Sequence, residues 1–224
     1  MKLFFQLILV ALPLTTLVAQ EDLTKAEKEA AYTKTITTRA DKIVSGLQIT
    51  DASQSTKVRD LIAGQYRALN DIYTYRDEQI KKAKDKGGDK EALAKEIKVL
   101  EDAATAKTEI LHKSYLANLS SLLTPEQVTK VKDGMTYGVL PITYNGYLDM
   151  LPQLTADQKT QIMTWLVEAR EHAMDAESSE KKHWWFGKYK GRINNYLSAA
   201  GIDMKKEGEA WQKRIKAKES ESKN

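Results

Sequence analysis

LTADQKTQIMTWLVEAREHAMDAESSEKKHWWFGKYKGRINNYLSAAG, residues 154–201, decides the fold. Thr155 and Gln158 have the spacing of a capping box: the hydroxyl accepts from the Gln158 N–H, and the Gln158 side chain accepts from the Thr155 N–H. Asp157 adds a negative charge where the helix dipole favours one. Successive side chains turn by about 100° in a helix. On that wheel Ile162, Trp165, Leu166, Ala169, Ala173 and Ala176 form one apolar face, and Met163, Val167 and Met174 form a second. A helix apolar on two sides is expected to pack on two sides. Ser178 or Ser179 caps the next helix, and Gly201 suits its C′ position. Trp185, Tyr189, Ile193, Tyr196 and Leu197 recur at helical spacing there, while Trp184 and Phe186 face elsewhere.

The first of these helices carries a polar stripe. Glu168, Glu171, His172 and Asp175 share one sector by their spacing. Carboxylates so close repel one another unless a cation or a hydrogen-bond donor faces them. Lys188, Arg192, Asn194 and Asn195 follow in the next helix and are the expected partners. The stripe therefore reads as one wall of a polar pocket between helices 155–177 and 179–200, or as a solvated face. One His with two carboxylates is not a specific metal signature, and neither a metal nor a cofactor is expected.

Working outward, residues 24–47 read as a helix, and Asp51 starts a long second one. Lys86-Gly87-Gly88-Asp89 is a turn followed by a cap. A third helix runs over 90–122, so 51–122 is expected to be a long antiparallel hairpin. Leu123-Thr124-Pro125-Glu126-Gln127 is another capping box, with Pro at the first helical position. Gly134, Gly138, Pro141 and Gly146 then read as breakers, leaving a loop, MTYGVLPITYNGYLDMLPQ, over 135–153. It carries Tyr137, Tyr144 and Tyr147, as a binding loop or as a connector pinned by its aromatics. Asp203 caps a last helix, and the charged residues from Lys216 on read as a disordered tail. No segment alternates as a strand does. The expected fold is all-α: a helical bundle with a long antiparallel helix hairpin and a C-terminal helical subdomain (154–215), forming one domain over 20–215.

The first residues, MKLFFQLILVALPLTTLVAQED, have one Lys, an apolar run and a small-residue cleavage site after Ala19. Residues 1–19 thus read as a cleaved signal peptide, too short for a stable membrane span. The expected mature protein is periplasmic or secreted, without a membrane anchor, and monomeric or weakly dimeric. The chain has no Cys, which excludes lipid attachment of the bacterial lipoprotein kind, disulfides and thiolate chemistry. Loss of Lys2 takes the formal charge from +4 to +3. That is too small, and too evenly mixed with acids, to suggest nucleic acid. Nucleotide-binding glycine loops, HExxH and the nucleophile elbow are absent from the sequence.

Leu123-Thr124-Pro125-Glu126-Gln127 and Leu154-Thr155-Ala156-Asp157-Gln158 resemble the LTxxQ motif of periplasmic chaperones of the Spy type, with a degenerate third copy at 49–54. Most of the mature chain is similar to an exported all-helical family carrying a domain of unknown function. Met135-Thr136-Tyr137-Gly138-Val139, Glu168-Ala169-Arg170-Glu171, Met174-Asp175-Ala176 and residues 188–197, KYKGRINNYL, carry that likeness. Such proteins occur in Gram-negative bacteria that degrade polysaccharide, so the resemblance implies a periplasmic role near glycan use and no established activity. The first expectation is a non-catalytic protein binding an oligosaccharide or an envelope protein. Tyr137, Tyr144 and Trp184 would stack on sugars, with Lys188, Arg192, Asn194 and Asn195 bonding hydroxyl or uronate groups. An alternative is an enzyme acting on glycans through Glu168, Glu171 and Asp175, with His172 or His183 as acid or base. The other is a chaperone-like cradle, which requires an exposed apolar surface.

Overall fold

The computed structural model describes residues 24–221. Among the described residues eight helices follow one another: α1 (Lys25–Ser45), α2 (Ala52–Lys86), α3 (Lys90–Leu122), α4 (Pro125–Met135), α5 (Val139–Met150), α6 (Ala156–Met174), α7 (Ser179–Ala199) and α8 (Met204–Glu221). No strand occurs among the described residues, and the fold is an all-α bundle. No helix among them is long and apolar enough to cross a membrane. The expected signal peptide lies outside the described residues.

The helix starts are set by short polar side chains. Thr24, Thr124 and Thr155 each form a reciprocal capping box, and Asp51, Asp89 and Ser178 each accept one backbone N–H. Each satisfies donors that the first turn leaves orphaned. Gly87 and Gly88, at φ +68° and +117°, turn α2 back onto α3 through a backbone region open to glycine. The result is the long antiparallel hairpin, with α1 packed along α2.

Two cores hold the bundle. Ala40, Ile62, Tyr115, Leu119, Val131 and Met135 belong to the first, built from α1 to α4. Leu140, Ile162, Leu166, Phe186, Ile193 and Leu197 belong to the second, built from α5 to α7. Met174 of α6 is fully buried in the first core, while Ile162, Leu166 and Ala169 of the same helix lie in the second. Met174 at the end of α6 therefore ties the second half to the first, whereas Met163 and Val167, expected on its side of the helix, pack against the second core. Leu166 is 0 % exposed, and its truncation to Ala would cost about 2–5 kcal/mol. Polar ties reinforce the junction. The Tyr73 hydroxyl donates to the Asp175 carbonyl (2.9 Å), and Arg76 pairs with Glu177.

Three expectations need correction. The segment 135–153 is not a loop, since Val139–Met150 is helix α5. Gly138 takes the left-handed N-cap position at φ +67°, and Pro141 falls in the first turn, where a missing N–H is harmless. Burial of Leu140 and Tyr147 then holds the helix despite Gly146. On α7 the buried stripe is Phe186, Tyr189, Ile193 and Leu197, so Phe186 is core and Trp185 half-buried. Finally, α8 continues to Glu221, with Trp211 donating to Asp149 (2.5 Å) and Arg214 to the Asp149 and Met150 carbonyls. The helix thus covers 216–221, where a disordered tail was expected.

Candidate functional site

The acidic stripe is answered from the neighbouring helices, but chiefly from α3 and α4. The contact between α6 and α7 is largely the apolar second core, and the acids of the stripe that are gathered in a cavity face α3. A cavity of about 530 Å³ opens instead between α3 and the C-terminal end of α6. Thr108 and His112 line it from α3, Glu171 and His172 from α6, and Asp175, Tyr73 and Trp185 complete it.

His112 is the centre of this cleft. It lies on the same face of α3 as buried Thr108, Tyr115 and Leu119, which turns its ring toward α6. Asp175, only 9 % exposed, accepts from Nδ1 of His112 at 2.6 Å. That bond fixes the tautomer of a neutral ring and leaves Nε2 directed toward Glu171, 3.7 Å away. The hydrogen bond that Asp175 accepts raises the His112 pKa above its ordinary value, and partial burial opposes the rise.

The other acids are held in turn. Lys132 of α4 donates to Glu171 Oε2 at 2.7 Å. Arg170, 6 % exposed, donates to Asp133 at 2.8 Å and reaches Glu171 at 3.4 Å. Behind Asp175, the buried ammonium of Lys182 donates to the carbonyls of Ala173 and Met174, both at 2.9 Å. It thereby satisfies acceptors left over at the end of α6. Burial pushes the Lys182 pKa down to about 8, with Asp175 opposing. One Asp175 oxygen, Oδ1, is buried without a hydrogen-bond partner.

One wall of the cleft is aromatic. The His172 ring stacks on Trp185 with centroids 4.3 Å apart and planes 14° apart. Lys188 Nζ lies over Trp185 at 4.9 Å and over Trp184 at 5.5 Å. Lys188 thus serves the aromatic pair and does not answer the acidic stripe. Chemically the cleft combines paired charges, an oriented imidazole and a ring surface. Among the described residues no group of three or more His, Asp or Glu is arranged to hold a metal ion.

The sequence-picked residues divide accordingly. Glu171, His172 and Asp175 meet in the cleft. Glu168 meets Arg192 only at 3.5 Å on the surface, and Arg192 lies over Trp165 at 4.5 Å. Asn194 accepts from the Tyr147 hydroxyl at 2.7 Å, locking α5 to α7. Asn195 is exposed, and Trp184 is exposed beside Trp185. Tyr144 lines a shallow depression with Lys159 and Met163, and Tyr137 lines a separate cavity with Arg39 and Tyr66. His112, Lys132, Lys182 and Tyr73 were missed. The available signal was a histidine on the buried stripe of α3.

No curated protein matches the chain. The family model described as protein of unknown function, DUF3826, matches residues 33–217, a span reaching from α1 into α8 and containing every residue of the cleft. The chain therefore belongs to the DUF3826 family.

Proposed function

We propose that this chain is an exported, non-catalytic binding protein for a glycan fragment, held in the cleft between α3 and α6. The cleft's charge balance carries the reading. Its inner carboxylates, Glu171 and Asp175, are matched by Lys132, Arg170 and His112 beside a stacked His172–Trp185 wall. Paired charges offer both donors and acceptors at little net charge, which suits sugar hydroxyls, and ring faces suit apolar sugar faces. A volume of about 530 Å³ lies within the range of small-molecule sites. The N-terminal apolar run with its small-residue end supports export to the periplasm or beyond.

Calorimetric titration of neutral oligosaccharides against the purified mature chain tests this reading. Binding should weaken by tenfold or more in Trp185→Ala, following the loss of about 1.5 kcal/mol or more expected for an aromatic anchor. No heat across a broad panel would reject it. A second reading has its own observation, the 2.6 Å His112–Asp175 bond that leaves Nε2 facing Glu171. An imidazole oriented by a carboxylate is equipped for general acid–base work. On that reading the wild type turns over a glycan and His112→Gln does not. Turnover by His112→Gln would eliminate it.

A further inference from the structure

A second cavity, of about 600 Å³, lies between α1 and α4 with α2 behind it. Arg39 and Lys42 line it from α1, Tyr66 from α2, Lys130 and Asp133 from α4, and Tyr137 from the α4–α5 link. Gly134 sets its floor. A Cβ there would meet the Ile43 side chain at 2.8 Å, so α1 and α4 approach at a distance that only glycine permits.

The polar groups of this groove are unbalanced. Its one lining acid, Asp133, is taken by Arg170 at 2.8 Å. The side chains of Arg39, Lys42 and Lys130 make no ion pair or hydrogen bond among the described residues. Burial pushes the Tyr66 pKa up to about 12, so its hydroxyl stays a donor at neutral pH. Three cations and a phenol facing one space, with the one acid that lines it engaged, favour a negative occupant.

Tyr137 adds a ring in an unusual backbone state. Its φ is +60°, a left-handed conformation that costs a non-glycine residue free energy and clusters at functional sites. The ring is 48 % exposed and stacks on His183 with centroids 5.8 Å apart. Two tight-turn bonds fix it: Tyr137 N–H donates to the Gly134 carbonyl and Gly138 N–H to the Asp133 carbonyl.

We infer that the α1/α4 groove is a binding site for a ring-bearing organic anion, with its acidic group among Arg39, Lys42 and Lys130 and its ring against Tyr137. This site is separate from the α3/α6 cleft and does not rest on the function proposed for it.

The test titrates three probes into the mature chain at low and high salt: trigalacturonate, its fully methyl-esterified form, and inorganic sulfate. Trigalacturonate should bind, more weakly at high salt. The ester, with the same rings and no charge, should bind ten- to a hundredfold more weakly, the range expected for losing hydrogen bonds to charged groups. Sulfate should also bind more weakly than trigalacturonate, because it lacks the ring. The double variant Lys42→Glu/Lys130→Glu should lose trigalacturonate binding with an unchanged melting temperature, and Asp175→Asn should retain it. Tyr137→Gly should fold at least as stably, because glycine accepts the positive φ, yet bind less tightly. Absence of trigalacturonate binding, equal affinity for ester and acid, equal affinity for sulfate, or undiminished binding by the double variant would each overturn the inference.

Discussion

The α3/α6 cleft and the α1/α4 groove have nearly the same volume, about 530 and 600 Å³, but their electrostatics are opposite. In the cleft the inner charges are spent on one another: Asp175 on His112, and Glu171 on Lys132 and Arg170. In the groove Arg39, Lys42 and Lys130 carry no ion pair among the described residues, and the one acid lining the space, Asp133, is already engaged. Volume alone would make the two interchangeable. Pairing makes one suited to hydroxyl-rich neutral groups and the other to anions. Arg170 stands between them, bonding Asp133 of the groove and Glu171 of the cleft.

The largest effect should come from breaking that link. Arg170→Ala removes a buried cation and leaves two partly buried carboxylates short of a partner. Loss of about 3 kcal/mol is expected, at the low end for a broken buried pair because both acids still reach water. Urea unfolding measures it. Asp133 would also be released toward the groove, so the variant should bind trigalacturonate less tightly than the wild type.

Lys182 sharpens the comparison from the other side. Burial is the main cause of its low pKa of about 8, and Arg39 of the groove pushes in the same direction. Between that value and the unfolded value near 10.5, the unfolded chain holds the extra proton, so stability rises with pH. Relative to Lys182→Met, the wild type should gain about 1–2 kcal/mol of unfolding free energy between pH 8 and 9.5. A flat difference would mean that the ammonium is fully compensated by the Ala173 and Met174 carbonyls.

The smallest effect should be at Arg192, which was expected to answer the acidic stripe. Its only acidic partner among the described residues, Glu168, is 3.5 Å away at the surface, and exposed pairs contribute about 0–1 kcal/mol. Arg192→Ala should therefore leave cleft binding unchanged, and a large loss there would shift the site toward α7.

The contrast between well-read and misread parts has a physical cause. Helix starts were legible because capping is local: Thr124 and Gln127, or Thr155 and Gln158, satisfy each other within four residues. The α5 segment was misread because Gly138, Pro141 and Gly146 break helices locally, while Leu140 and Tyr147 hold one through tertiary burial. Glu171 and Asp175 were legible as neighbours by spacing. Their partners were not, because His112 and Lys132 lie far off in sequence and meet them only through packing. The register of α3 held one usable sign, a histidine where Thr108, Tyr115 and Leu119 turn inward.

The three histidines of the chain report on both cavities. His112 and His172 line the cleft, and His183 stacks on Tyr137 of the groove. Imidazole NMR resonances followed during titration with a neutral oligosaccharide that gives heat by calorimetry test the proposed division most directly. The signals of His112 and His172 should shift together while that of His183 stays still. Saturable movement of His183 alone, with His112 and His172 unmoved, would contradict the assignment of the α3/α6 cleft as the glycan site.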